Sequence, residues 1–323
     1  MPMTVIVRDL RPDVPADTEG FARVRRLALP YILFTSDSVR HAALHMPPEA
    51  RYRPLIAEED GEVIGTAQVH LAHDSAEPGQ GLLNIYVRPD RTGRGAGGLL
   101  LRTAEEHLAA QGATRLLSWV LDEPASHAFA ERHGYRGSRC AHFLRLDLAG
   151  SALPPVPKAP PGIELRTAAD FADDPRPLFE LDAETMLDEP GDVDYELTDY
   201  EAWVEQYWKH PLLDRDLTVA ACVEGRPVAF SVAYTDGGTL PHARTHSREG
   251  TRMATAMTGT AQAHRGRGLA KLTKIHSLHR ARAAGVTEAF TGNDAENAPM
   301  LAINKWLGYE ICATEVRHVR ELV

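Results

Sequence analysis

The chain of 323 residues has no apolar run approaching the 18 or so residues that a membrane-spanning helix needs, so no membrane association is expected. It is poor in cysteine. Cys140, Cys222 and Cys312 are far apart, odd in number and form no CxxC pair, which excludes a disulfide framework. They are expected to be buried apolar thiols in a reducing cytoplasm. Basic residues are also in deficit, 35 Lys and Arg against 45 Asp and Glu, for a formal charge of −10. A general nucleic-acid binder needs a basic surface, so that class is set aside. There is no HExxH motif and no Cys/His cluster. His242 and His246 stand four apart in loop-like sequence, so no metal is expected. The opening Met1-Pro2-Met3-Thr4-Val5-Ile6-Val7-Arg8 meets charge too soon for a signal peptide and reads as a strand.

What is present is ordinary globular composition, 43% apolar and 25% charged, over a length suited to two domains. Residues 149–162 carry five prolines, which favour an extended, semi-rigid segment. The expected division is therefore a first domain at 1–148, a proline-rich linker at 149–162 and a second domain at 163–323.

The halves resemble each other. Each opens on a short strand, at residues 6–10 and 163–166, and passes through helix-like sequence. Each then has two β-rich runs around a tight turn, Asp60-Gly61 in the first half and Glu224-Gly225 in the second. A further strand, a glycine-rich turn, a helix, a strand, a helix and a Gly-Tyr pair follow in both. Matching landmarks are offset by 158 (Arg8 to Arg166), 164 (Gly61 to Gly225), 173 (Gly95 to Gly268) and 174 (Gly134 to Gly308). Kept order with a slowly growing offset is what a duplicated domain with small insertions gives.

The glycine-rich turns carry the chemistry. The first holds Thr92-Gly93-Arg94-Gly95-Ala96-Gly97-Gly98, the second Arg265-Gly266-Arg267-Gly268-Leu269-Ala270. Glycines let backbone amides approach a ligand closely, and a helix N-terminus carries unpaired amides and about half a positive charge. A pyrophosphate fits there without a lysine. Neither turn has the GK[ST] of a P-loop. Residues 93–98 match GxGxxG literally, with Asp122 as a conceivable ribose acid, but the preceding strand does not open the domain and the second copy has Lys271 at the third glycine.

The run at 265–270 also resembles the [RQ]-x-x-G-x-[GA] motif of the GNAT superfamily of N-acetyltransferases. Its later landmarks, Asn293, Asn297, Asn304 and Leu307-Gly308-Tyr309, resemble that family's fifth strand, fourth helix and closing glycine-aromatic pair. The first half shows the same order, ending on Gly134-Tyr135. The resemblance implies an α/β (α+β) protein of two tandem GNAT-type domains, each a mixed, mostly antiparallel sheet with a splayed fourth strand and flanking helices. It implies acetyl-CoA as co-substrate. Its pantetheine would lie on Thr258 and Thr260 in the second half and on Ile85 and Val87 in the first. The pyrophosphate would lie on Arg265, Gly266, Arg267, Gly268, Leu269 and Ala270, or on Thr92, Gly93, Arg94, Gly95, Ala96 and Gly97. Asn297 and Asn304 are further expected contacts, with Asn293 beside them.

Two positions depart from the family pattern. Thr92 replaces the leading Arg/Gln in the first half. Ala130 and Asn304 stand four residues before the closing glycines, where the family often places an acid tyrosine. No catalytic residue is assigned.

On the acceptor side, residues 180–205 hold eleven acids and no Lys or Arg. Glu184, Asp188 and Glu189 are candidate contacts for a cationic amine. Tyr200, Trp203, Tyr207 and Trp208 follow at helical spacing, as a core stripe would. The leading expectation is acetyl transfer from acetyl-CoA to a small amine, in the second half, by a monomer or homodimer. An acyl-CoA sensor or scaffold of the same fold is the alternative, and a nucleotide-dependent oxidoreductase a third reading.

Overall fold

The computed structural model describes residues 4–75, 77–188, 190–193, 196–237 and 251–322. The described residues form two compact units. One holds the residues up to 141 together with those from 313 onward; the other holds residues 142–312.

In the first unit the order is β1 (Ile6–Asp9), α1 (Pro15–Ala28), α2 (Ser36–His45), β2 (Leu55–Glu59), β3 (Glu62–Leu71), β4 (Gln80–Val87), α3 (Ala96–Ala110), β5 (Arg115–Leu121) and α4 (Pro124–Arg132), followed by the start of β6 (Arg136–Asp147). β1 to β4 pair antiparallel in sequence order. β4 then pairs parallel with β5, but only over three positions, from Gln80 opposite Arg115 to Leu82 opposite Leu117. Beyond Leu82 the two strands separate. The apolar stripe of α3, with Leu100, Leu101, Ala104 and Leu108, covers one face of this sheet over Leu55, Ile64, Val69, Leu83 and Leu116. Each such leucine stabilises by about 1.5–3 kcal/mol. Phe21 and Ala22 of α1 and Val39 of α2 cover Ile56.

The second unit repeats the plan. It contains β7 (Glu164–Thr167), α5 (Arg176–Met186), α6 (Tyr200–Trp203), β8 (Val219–Val223), β9 (Arg226–Thr235), β10 (Thr251–Thr260), α7 (Leu269–Ala283), β11 (Val286–Asp294) and α8 (Ala298–Leu307). β7 to β10 pair antiparallel, and β10 runs parallel to β11. Both predicted hairpin turns form with left-handed residue pairs: Asp60 and Gly61 at φ 52° and 80°, Glu224 and Gly225 at 50° and 82°. That is a type I′ geometry, whose twist suits adjacent strands.

The units do not part at the proline-rich segment, which lies inside the second unit. The last strand, β12 (Glu310–Glu321), pairs antiparallel with β5 from Glu315 opposite Leu121 to Glu321 opposite Arg115. The far end of β6 lies next to β11 in the second unit, and Leu144, Leu146 and Leu148 join the core with Ile275, Leu278 and Tyr309. Each unit thus takes in a strand end from the other half of the sequence. All three cysteines are free thiols. Cys222 fits the expectation of burial, which pushes its thiol up to about 11, but Cys312 is exposed and Cys140 half-buried.

Candidate active site

In the second unit, β10 keeps its pairing with β9 to Thr260 opposite Ala229, but its pairing with β11 stops at Thr255 opposite Thr291. A V-shaped gap opens from that point. At its apex the β9 register slips between Thr255 and Met257, leaving Ala256 as an exposed bulge residue. Bulges re-aim backbone groups and are frequent beside active sites.

The wide end of the gap leads to the turn before α7. Gly268 sits at the N-cap with φ 74°, a left-handed conformation that a side chain would strain. No side chain caps the helix, so its first-turn amides face the gap as an anion site. A cavity of about 490 Å³ runs from this turn to the apex. It is lined by Thr258, Thr260, Arg265, Gly266, Gly268, Leu269, Ala270 and Asn297 among the expected residues. Arg267 lies on the exposed turn, 3.0 Å from His264 through Nη1 and Nδ1, and does not line the cavity. Asn297 uses its side chain to cap α8, accepting from the Met300 amide at 3.2 Å. Asn304 is fully buried and donates to Asn293 Oδ1 at 2.5 Å, so it supports a lining residue without lining the cavity itself.

A second cavity, of about 260 Å³, meets the first at Ala256 and Met257, which line both. Its walls are mostly apolar and aromatic, from Trp203, Tyr207, Trp208 and Tyr234, with Asp182 as its carboxylate. Asp182 accepts a hydrogen bond from Trp203 Nε1 at 2.8 Å. Burial, helped by Asp182, pushes the Tyr234 phenol well above its ordinary value, so it stays protonated. The aromatic run expected as a core stripe therefore also walls a cavity.

Two of the acidic candidates lie beside the glycine-rich turn. Glu184 accepts from the Gln262 amide at 2.7 Å, and Asp188 forms an ion pair with Arg265. Both brace the glycine-rich turn, and Asp188 lines the larger cavity. Glu189 lies outside the described residues. Sequence reasoning missed Asp182 and Lys274. Lys274 lines the larger cavity and is 1% exposed. Its signal was position: on α7 it stands four residues before Leu278 and seven before Ala281, both buried.

The first unit has the same turn but a different gap. Gly95 caps α3 at φ 88°, and Thr92, Gly93, Arg94, Ala96 and Gly97 surround it. Arg94 is paired with Glu59 at 3.0 Å, and Arg91 with Glu59 and Glu62. Ile85 and Val87 pair with Ala67 and Gly65 of β3. Where β4 leaves β5, the Asn84 side chain accepts the Trp119 amide at 2.9 Å. Arg25, 2% exposed, donates to the Asn84 carbonyl at 2.8 Å and to Thr66 at 3.1 Å. It stacks on Tyr86, whose hydroxyl donates to Glu315. Burial lowers the Arg25 guanidinium to about 10 and raises the Glu315 carboxyl. The chain's own side chains thus bridge this gap. β4 also runs antiparallel to β3, unlike the opening strand of a dinucleotide-binding fold.

A sequence-family profile described as "Acetyltransferase (GNAT) family" matches residues 22–135. Mycothiol acetyltransferase of Nocardia farcinica is 29% identical over 277 residues, covering 86% of each chain. That of Nocardioides sp. is 27% identical, covering 70% of this chain and 76% of its own. Among solved structures, a tandem GNAT protein from the clavulanic acid biosynthesis pathway superposes with a TM-score of 0.68 at 18% identity, covering 98% of both chains. A GCN5-related N-acetyltransferase from Sphaerobacter thermophilus gives 0.65 at 20%, covering 98% of this chain and 95% of that one. The structural likenesses carry the fold.

Proposed function

We propose, from the premise that this chain is a tandem GNAT-fold N-acetyltransferase related to the mycothiol acetyltransferases, that its second unit moves acetyl from acetyl-CoA to the primary amine of a small, cationic molecule. The observation that carries this reading is the meeting of two cavities at the Ala256 bulge. The longer one, with the uncapped helix start at one end, suits the extended co-substrate. The shorter one, with its aromatic walls and Asp182, suits an amine.

The chemistry is direct transfer. A neutral amine held beside the bulge attacks the thioester carbon, and backbone amides of the bulge polarise the carbonyl oxygen. Holding both reactants at one apex supplies much of the rate. Asp182 and the aromatic walls favour the ammonium form on entry, through charge and cation–π attraction. The ammonium gives up one proton to water in the pocket before it attacks, and the nitrogen releases a second as the amide forms. The first unit, with Asn84 linked to Trp119 and Tyr86 to Glu315 across its gap, supports the fold and does not turn over. No helix among the described residues is long and apolar enough to cross a membrane. The proposal is of a cytoplasmic enzyme that acts on a small solute as a monomer or homodimer.

The test is calorimetry with acetyl-CoA, followed by CoA-thiol release across a panel of amines. Tight acetyl-CoA binding and turnover with at least one cationic amine are expected. Binding without turnover on any amine would favour a sensor instead.

A further inference from the structure

The usual tyrosine position is Asn304, a neutral amide committed to Asn293, so the departing thiol lacks its ordinary acid. A different group stands where that acid is needed. Lys274 projects from α7 into the larger cavity, and its Nζ lies 3.3 Å from Thr291 Oγ1. Thr291 is opposite Thr255 in the last pair before β10 and β11 separate. The ammonium therefore sits at the apex of the V, next to the Ala256 bulge. On the acetyltransferase reading, a co-substrate whose pyrophosphate rests on the α7 start and whose chain runs down the gap would bring its sulfur to this apex.

Among the described residues Lys274 has no ion-pair partner; its Nζ donates to Thr291 and lies 5.4 Å from the Tyr309 ring. An amine with no counter-ion at a buried position is costly to keep for structure alone. The other ionisable side chains lining the cavity are Asp188, His264, Arg265 and Lys271. Asp188 and Arg265 pair with each other, Lys271 lies over Trp306, and His264 contacts Arg267.

We propose that Lys274 is the proton donor to the thiol that leaves when acetyl-CoA is consumed. This rests on the acetyltransferase reading above. The C–N bond forms and the C–S bond breaks. The departing sulfur takes a proton from the Lys274 ammonium, and the acceptor nitrogen releases one to water. Lys274 regains a proton from solvent before the next turnover, so protons balance. Burial alone lowers the Lys274 ammonium to about 7, which suits a group that must give up a proton near neutrality.

The test needs no acceptor. CoA itself is the probe, titrated in complex with the full-length protein while thiolate absorbance in the ultraviolet is followed. A neighbouring ammonium lowers a thiol's pKa, and the thiolate in turn raises the Lys274 ammonium above its value in the free protein, so the two titrate as a coupled pair. In the wild type, bound CoA should form thiolate at least about one pH unit below its midpoint in the Lys274→Met complex. At pH 6, where the thiol is protonated, calorimetry should give CoA affinities within about threefold of each other, since the pyrophosphate site is untouched. Equal thiol midpoints in the two complexes would overturn the proposal. Absence of CoA binding to the wild type would overturn the functional reading and this inference with it. Lys274→Arg provides an independent check: a guanidinium should keep the low thiol midpoint yet slow turnover, because it does not release its proton. An Arg variant as fast as wild type would also overturn the proposal.

Discussion

Replacing Lys274 by methionine should make the protein more stable near neutral pH. The side chain is 1% exposed, and burial alone takes its ammonium from an ordinary 10.5 to about 7. That difference corresponds to a folding penalty on the order of 5 kcal/mol, complete below about pH 7. The sign follows from proton counting. Between pH 7 and 10.5 the unfolded chain keeps the lysine proton and the folded chain does not, so wild-type stability rises with pH across that window. Methionine fills similar volume and carries no charge. It forfeits the Thr291 hydrogen bond, worth about 1 kcal/mol. The net expectation is a gain of about 2–4 kcal/mol at pH 7, shrinking toward zero or slightly below by pH 10. Urea unfolding of both proteins at pH 6, 7, 8, 9 and 10 reads the difference directly. A variant less stable than wild type at pH 7, or a difference that does not change with pH, would refute the reasoning.

Three further outcomes follow from the geometry. A Cβ at Gly259 would fall 2.5–2.8 Å from the Thr185 side chain, so Gly259→Ala should push α5 off β10 and cost about 1–3 kcal/mol; an unchanged urea midpoint would contradict that packing. Asp182→Asn keeps an acceptor for Trp203 but removes the pocket's charge. It should raise KM for a cationic amine about tenfold at nearly constant kcat, and an equal effect on a neutral amine analogue would argue against the charge. Arg25→Ala strips the donor from the Asn84 carbonyl and leaves a void in the first unit. Stability should drop by about 2–4 kcal/mol while kcat stays within about twofold, and a kcat collapse in folded protein would mean the first unit takes part in catalysis.

Much of the fold was legible because local chemistry dictated it. Asp60-Gly61 and Glu224-Gly225 have few options but the turns they make, and Gly95 and Gly268 mark helix starts through the left-handed conformation they tolerate. The α7 stripe and its end before Gly285 were readable from spacing. The destination of the last strand was not. A strand's alternation says that it pairs, not with which sheet, so the exchange that sends the end of β12 to β5 left no local trace. The acidic run could not be resolved into individual roles for a related reason. Charge counts do not say which way side chains face, and Glu184 and Asp188 turn toward the glycine-rich loop while Asp182 alone of these lines the aromatic pocket. Lys274 was hidden by habit, since a lysine within an apolar stripe is usually taken to reach solvent.

The central claim is that acetyl transfer occurs at the gap between β10 and β11. The most direct measurement is acetyl-CoA-dependent release of CoA thiol, with an amine accepted by the wild type, from Gly268→Trp and Gly95→Trp side by side. Both positions have left-handed φ, 74° and 88°, and a Cβ at either would meet no other atom within 4 Å, so strain and blocking act equally at the two turns. The account predicts that Gly268→Trp abolishes turnover while Gly95→Trp retains most of it. Loss of turnover from Gly95→Trp alone, with Gly268→Trp still active, would place the reaction in the other unit.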